Sequence, residues 1–252
     1  MSRTRTLGVL LVAVIATFLA VASASASAQA PEFGTCRHVP GKAGAWGNPG
    51  CTTAGGTKAN QYEWQQENET GKRYTFDLKP KTVAKFETVH GAAILCTGEI
   101  GNGWNESFST AGLEIRFTGC SSEGFACQSL EQAKGTIYAD ARRNLGWISH
   151  SELEVGDALL LDGEGAPFEC DGGVFAERQF LGGAGVSPVK AGVMVSKETV
   201  KFSEKSGVQI PTGVEESRYA FRFCTYSTCT QAALKASFIE TNEQKFEINP
   251  II

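Results

Sequence analysis

Histidine is almost missing from this sequence: three residues, His38, His90 and His150, stand far apart in 252. None belongs to an H-x-H or H-E-x-x-H pattern or has a cysteine neighbour, which excludes the metal centres built on clustered imidazoles. Surface or packed histidines are the simpler reading. Helical periodicity is scarce as well. Only Ser129–Lys134 and the stretch around Val155–Leu161 resemble helix, which excludes a helical bundle. Positive charge is in the minority, with 23 Lys and Arg against 27 Asp and Glu, so nothing favours nucleic acid or an anionic membrane surface as partner. No internal repeat is present, and no cofactor signature.

No apolar run reaches the ~20 residues of a membrane span. The longest, Leu7 to Ala22, follows Arg3 and Arg5 and runs into a Ser/Ala tail with several A-x-A sites. That order predicts a secretory signal peptide over 1–28 and no stable membrane anchor after its removal. Pro31 hinders cutting directly before it, so cleavage is expected after Ala28 or Ala26. Removing Arg3 and Arg5 lowers Lys+Arg from 23 to 21 against 27 acidic residues, a net charge near −6. The exported chain is long enough to bury its own core.

Cysteine, by contrast, is plentiful. Cys36, Cys51, Cys96, Cys120, Cys127, Cys170, Cys224 and Cys229 all follow the leader, and the count is even. In an exported chain this predicts four structural disulfides rather than a metal knuckle or a thiol nucleophile. Eight cysteines allow roughly a hundred connectivities. Proximity along the chain suggests Cys36–Cys51, Cys120–Cys127 and Cys224–Cys229, which leaves Cys96 with Cys170. An extended strand would hold Cys224 and Cys229 about 16 Å apart, beyond the reach of a disulfide. The chain must therefore reverse within Thr225-Tyr226-Ser227-Thr228.

Residues 31–60 are dense in Gly, Pro, Asn and Thr and read as loop. The expected organisation is a loop-rich, disulfide-tied segment over 29–70 and an antiparallel β domain over 71–252, together one structural unit. From about residue 73 short alternating runs take over. Leu113, Ile115 and Phe117 share one face of "LEIRFTG", as Tyr219, Phe221 and Phe223 do in "RYAFRFC". Further strands are expected at Arg73–Leu78, Lys85–Val89, Ala92–Ile100, Gly135–Ala141, Ala191–Val195, Thr199–Ser203, Leu234–Glu240 and Lys245–Ile248. Many short strands punctuated by 29 glycines predict an all-β fold, an antiparallel sandwich or barrel.

The succession "EFGTC" (32–36), "GCTT" (50–53), "YEW" (62–64), "ILCTGEI" (94–100), "FTGC" (117–120), "VGDALL" (155–160), "FEC" (168–170) and "TNEQKFEIN" (241–249) spans nearly the whole exported chain. It resembles a group of exported, β-rich, cysteine-containing proteins of actinobacteria. The resemblance implies secretion and a β-rich structure, and no activity.

Four patterns carry chemistry in principle. Ser187-Pro188-Val189-Lys190 fits S-x-x-K, but proline and flanking glycines oppose the helix that motif requires. Glu152 and Glu154 share a face if extended and could form a glycosidase pair. Asp162, Glu164 and Asp171 lie among turn-forming glycines and could offer oxygens to calcium, though at no EF-hand spacing. Trp46, Trp104 and Trp147 each stand beside or near glycine, where a loop could present an indole to a sugar face; alternatively, each closes the end of a β-core. The sequence thus points to an extracellular, non-enzymatic β-protein with a structural or binding role. The alternatives are a glycan- or surface-binding module using those tryptophans, with a polysaccharide or cell-surface ligand, and a hydrolase with a carboxylate pair of its own.

Overall fold

The computed structural model describes residues 30–42, 44–55, 61–66, 73–215 and 217–249. The signal peptide expected over 1–28 lies outside them. The strands are β1 (Glu32–His38), β2 (Tyr62–Gln66), β3 (Thr75–Pro80), β4 (Ala84–Thr88), β5 (Ala93–Asn105), β6 (Thr110–Ser122), β7 (Phe125–Gln128) and β8 (Ile137–Ser149). They continue with β9 (Glu154–Cys170), β10 (Gln179–Val189), β11 (Val195–Lys205), β12 (Val208–Ile210), β13 (Gly213–Val214), β14 (Ser217–Arg218), β15 (Phe221–Cys224) and β16 (Cys229–Asn249). There is no α-helix among the described residues, so none is long and apolar enough to cross a membrane.

The antiparallel pairing closes on itself. Going round, β5 pairs β6, then come β8, β9, β10, β15, β16 and β4, which returns to β5. Further along the barrel β3 takes the place of β4 between β16 and β5, and β11 takes the place of β15 beside β16. The sequence left sandwich and barrel open, and the circuit makes this a barrel. A ring of about eight strand positions leaves an interior just wide enough to be filled by side chains.

Alternation decides what fills it. In β8, Ile137, Ala139, Ala141, Arg143, Leu145 and Trp147 are all buried while Asp140 and Arg142 point outward, because successive side chains leave opposite faces of a strand. β16 alternates likewise through Leu234, Ala236, Phe238 and Glu240. Phenylalanines pack the interior edge to face: Phe86 against Phe117 at 5.2 Å and against Phe221 at 6.0 Å, and Phe168 against Phe223 at 5.5 Å. Burying each such ring contributes about 1.5–3 kcal/mol. In β10 the register slips between Leu181 and Gly183. Gly183 has φ +90, and a Cβ there would meet the Ala220 carbonyl oxygen, so only glycine permits this bulge.

Strand replacement leaves seams, and polar side chains close them. β10 and β11 are joined where the Ser187 hydroxyl, fully buried, accepts the Lys201 N–H at 2.9 Å. Between the last β15 contact at Ala232 and the first β11 contact at Ala236, the β16 backbone meets the carboxamide of Gln209.

Four disulfides are formed, and no described cysteine is free. They mark an oxidising, extracellular environment. Cys36–Cys51 and Cys224–Cys229 are the expected local pairs, the latter closing the β15–β16 hairpin, whose turn is held by Thr225 N–H to Thr228 O at 2.8 Å. The other two correct the proximity scheme. Cys96 joins Cys120 and Cys127 joins Cys170, because the β5–β6 and β7–β9 registers set each pair directly opposite. Strand register, not distance along the chain, chooses the partner.

Four other expectations differ. The loop-like segment 31–60 contributes β1, which pairs with both β2 and the end of β16 and buries Phe33; tertiary pairing overrides its Gly-rich character. Val155–Leu161 is part of β9 and Ala191–Met194 is not strand. The stretch Ser129–Lys134 forms turns.

Candidate functional site

Inside the barrel one positive charge meets three carboxylates. Arg143 from β8, Asp157 from β9 and Glu240 from β16 are 4%, 1% and 2% exposed. Arg143 Nε donates to Asp157 Oδ2 at 2.7 Å, Nη2 donates to the same oxygen, and Nη1 donates to Glu240 Oε2 at 2.5 Å. The guanidinium also lies over the Phe76 ring, 4.9 Å from its centroid, a favourable cation–π placement. Glu198 of β11 faces Glu240 directly across the ladder.

Burial dominates the protonation of this group. It pushes Glu198 up to about 8, assisted by the neighbouring charge of Glu240 and opposed by Arg143. Glu240 is also raised, first by burial, against the pull of Arg143. For Arg143 burial acts to release the proton, but the charges of Asp157 and Glu240 outweigh it and hold the guanidinium cationic. At neutral pH Glu198 therefore carries its proton, which relieves the repulsion with Glu240. Two further buried carboxyls, Glu99 and Glu247, are each pushed up to about 7 by burial and make no hydrogen bond among the described residues.

Chemically the cluster has the groups of an acid–base site but not the access. The cavity beside it is about 10 Å³, walled by Leu78, Leu113, Leu159, Val200, Phe202 and Phe238 besides the charged residues. That is room for about one water molecule, not a substrate. The sequence pattern did hold a signal for it: Arg143 falls on the apolar face of the alternation from Ile137 to Trp147, and Glu240 on that of Leu234, Ala236 and Phe238. A charge in phase with a core stripe must be paired inside.

The tryptophans do not converge. Trp147, 7% exposed, packs inside with Phe33, Val155, Phe246 and Ile248, its ring edge-on to His150 at 4.9 Å; it is a core residue, not a surface platform. Trp46 is half-buried in the N-terminal loop, its backbone bonded to Gln61 and Tyr62. Trp104 lies half-buried on the outer face, its indole over Gly112, where a Cβ would come within 2.6 Å of Cε2. Glycine is required there because the ring occupies the space of a side chain. Trp64, which the sequence reading passed over, covers Gly34 in the same way.

The remaining candidates are dispersed. Ser187 is inside the wall and Lys190 is exposed, so S-x-x-K has no shared helical face. Glu152 and Glu154 are exposed at the β8–β9 turn. Asp171 bonds Lys134 at 2.5 Å and accepts from Gln128, while the side chains of Asp162 and Glu164 lie outside the described set. Among the described residues no group of three His, Cys, Asp or Glu side chains is placed to hold a metal. No family model matches the chain, nor does any curated protein or solved structure.

Proposed function

We propose that this protein is secreted and acts without catalysis, as a rigid barrel that binds a surface or glycan ligand through its outer face. One observation carries the reading: its most enzyme-like constellation, Arg143 with Asp157 and Glu240, is sealed in a core with about 10 Å³ of free space. Open relief lies on the outside, in clefts of about 460 and 690 Å³. Four disulfides and a filled interior make such a barrel a stiff support, and stiffness lowers the ordering cost of binding.

The placement of Trp104 favours an aromatic contribution. Its indole lies over Gly112, whose missing side chain leaves the ring room on that outer row. Sugar faces stack on such rings. The test is retention on insoluble cell-wall or plant polysaccharide, paired with thermal unfolding, for Trp104→Ala and Trp147→Ala. Trp104→Ala is expected to lose retention with little change in melting, and Trp147→Ala to melt earlier while its folded fraction still binds. Unchanged retention with a large loss of melting temperature for Trp104→Ala would make that ring a structural cover and remove it from the binding role.

A further inference from the structure

Next to the strand that carries Trp104, the outer wall formed by β3, β4, β11 and β16 presents lysines from outward positions. Lys201 lies across the ladder from Ser237, and Lys235 lies directly across from Lys85. Lys79 and Lys197 extend the stripe along β3 and β11. Where β3 hands over to β4 the chain leaves the ladder, and the N–H groups of Lys81 and Thr82 both reach Ser237 O, at 2.8 and 3.3 Å. The result is a cleft of about 690 Å³ into which Lys81, Lys201 and Lys235 project, with hydroxyls of Thr82, Thr199, Ser203 and Ser237 along it.

One carboxylate, Glu204, lines the cleft, and it is drawn to Lys85 rather than to the three cleft lysines. Lys85 takes both nearby carboxylates, Glu87 at 2.6 Å and Glu204 at 3.7 Å. The Lys81 ammonium bonds the Thr199 hydroxyl at 3.2 Å, and among the described residues no carboxylate lies within 4.0 Å of the Lys81, Lys201 or Lys235 ammonium. Asp77 lies further along β3, opposite Thr241. Like charges on adjacent strand positions repel. A chain of net charge −4 that concentrates unpaired lysines in one concave place has built a local positive field against its own average, and a cleft focuses such a field.

We infer that this cleft is a binding site for an acidic polysaccharide, its carboxylates held by Lys81, Lys201 and Lys235 and its hydroxyls by the Ser and Thr side chains. Lys201 and Lys235 stand on the neighbouring strands β11 and β16, about 5 Å apart from strand to strand, and Lys81 follows in the β3–β4 connection, a spread that suits an extended polyanion better than a single ion. Among the described residues no exposed aromatic ring lines the cleft, Phe202 being buried, so the cleft offers no platform of the kind on which single-stranded nucleic acid stacks its bases. The inference rests on the reading of the barrel as an outer-face binder and names a second site on it, separate from Trp104.

The experiment is retention of the mature protein on immobilised polygalacturonate, neutral dextran and single-stranded DNA, at salt rising from about 50 mM to about 1 M, across which screening becomes nearly complete. Wild type should be held by polygalacturonate, pass through dextran, and elute as salt rises. The triple variant Lys81→Gln, Lys201→Gln, Lys235→Gln should bind about tenfold more weakly, as expected for the loss of three exposed charge contacts. The charge-matched control Lys134→Gln, Lys190→Gln, Lys245→Gln should bind like wild type. Single variants at Lys201 and Lys235 should each shift elution in the same direction, which keeps the inference testable if the triple variant misfolds. Equal losses in cleft and control variants, failure of wild type to be retained, or tighter retention on DNA would each overturn it. Retention of Trp104-dependent neutral glycan by the cleft variant would leave the broader outer-face reading intact.

Discussion

Gln209 bonds both backbone groups of Leu234: its Oε1 accepts the Leu234 N–H at 2.9 Å, and its Nε2 donates to the Leu234 carbonyl at 3.1 Å. The same Nε2 reaches Ser203 O at 2.7 Å. One carboxamide thus does the work of the strand residue that neither β15 nor β11 supplies. Leu234 is fully buried and Gln209 is 1% exposed, so no solvent replaces these bonds.

Gln209→Met keeps the volume and removes the bonds. It should lower unfolding free energy by about 2–4 kcal/mol, since each stranded buried backbone group costs about 1–3 kcal/mol. Hydrogen exchange at the Leu234 amide should accelerate more than at Phe238. Urea unfolding that moved by less than about 0.5 kcal/mol, the ordinary scale of a surface change, would mean the seam is closed by something else.

Arg143→Ala leaves Asp157 and Glu240 buried without their cation. A loss of about 3–5 kcal/mol is expected, as for other broken interior ion pairs. Arg143→Lys should recover only part of it, because an ammonium cannot reproduce the fork that reaches both carboxylates. Equilibrium denaturation of the two variants side by side checks the order; equal stability to wild type would contradict the pairing.

Stability should fall as pH rises. Glu99 and Glu247 are raised to about 7 and Glu198 to about 8 from 4.5 in the unfolded chain. Between those values the folded state binds more protons than the unfolded one, so alkali pulls the equilibrium towards unfolding. The denaturant midpoint should therefore be higher near pH 5 than near pH 8.5, and Glu99→Gln should flatten the lower part of that slope. A midpoint that climbed across the same window would reverse the assignment of these carboxyls.

Non-reducing peptide mapping should return Cys96 with Cys120 and Cys127 with Cys170. The second pair spans 43 residues and the Cys224–Cys229 pair spans 5, so chain entropy assigns them about 4 and about 2 kcal/mol. Double alanine variants should lose stability in that order. A Cys120–Cys127 peptide would restore the proximity scheme.

The parts of this fold legible in the sequence were those where one strand's own alternation speaks. "LEIRFTG" falls in β6 with Leu113, Ile115 and Phe117 inward, while of "RYAFRFC" only Phe221–Cys224 forms β15, with Phe221 and Phe223 inward and Tyr219 outside the strand. The Cys224–Cys229 reversal followed from reach alone. What escaped depended on a second strand. β10, "QFLGGAGVSPV", looks like a loop because Gly183 forms its bulge and Gly185 makes room for Phe221 of the neighbouring β15 and for Gln209, a need invisible locally. β1 is a strand because β2 and the end of β16 lie on either side of it. The cysteine partners depended on register, which is set by neighbours rather than spacing. The interior charge cluster combines residues from four strands, so its members could be seen singly but not assembled. The tryptophans show the converse: glycine neighbours marked them as displayed, yet Trp147 turned inward with the phase of β8.

β16 runs for 21 residues and pairs along its length with β15, β4, β11, β3 and β1. The order of assembly follows. Hairpins such as β5–β6 and β9–β10 join near neighbours and can form as soon as their residues are available. The wall cannot close until residues 229–249 arrive to meet strands made far earlier, Glu32 opposite Asn249 among them. Contacts this distant along the chain make folding slow, and until they form, the edges of β3, β4, β11 and β15 stay open to other chains. The same long strand that ties the finished barrel together sets the interval in which it is most exposed to aggregation.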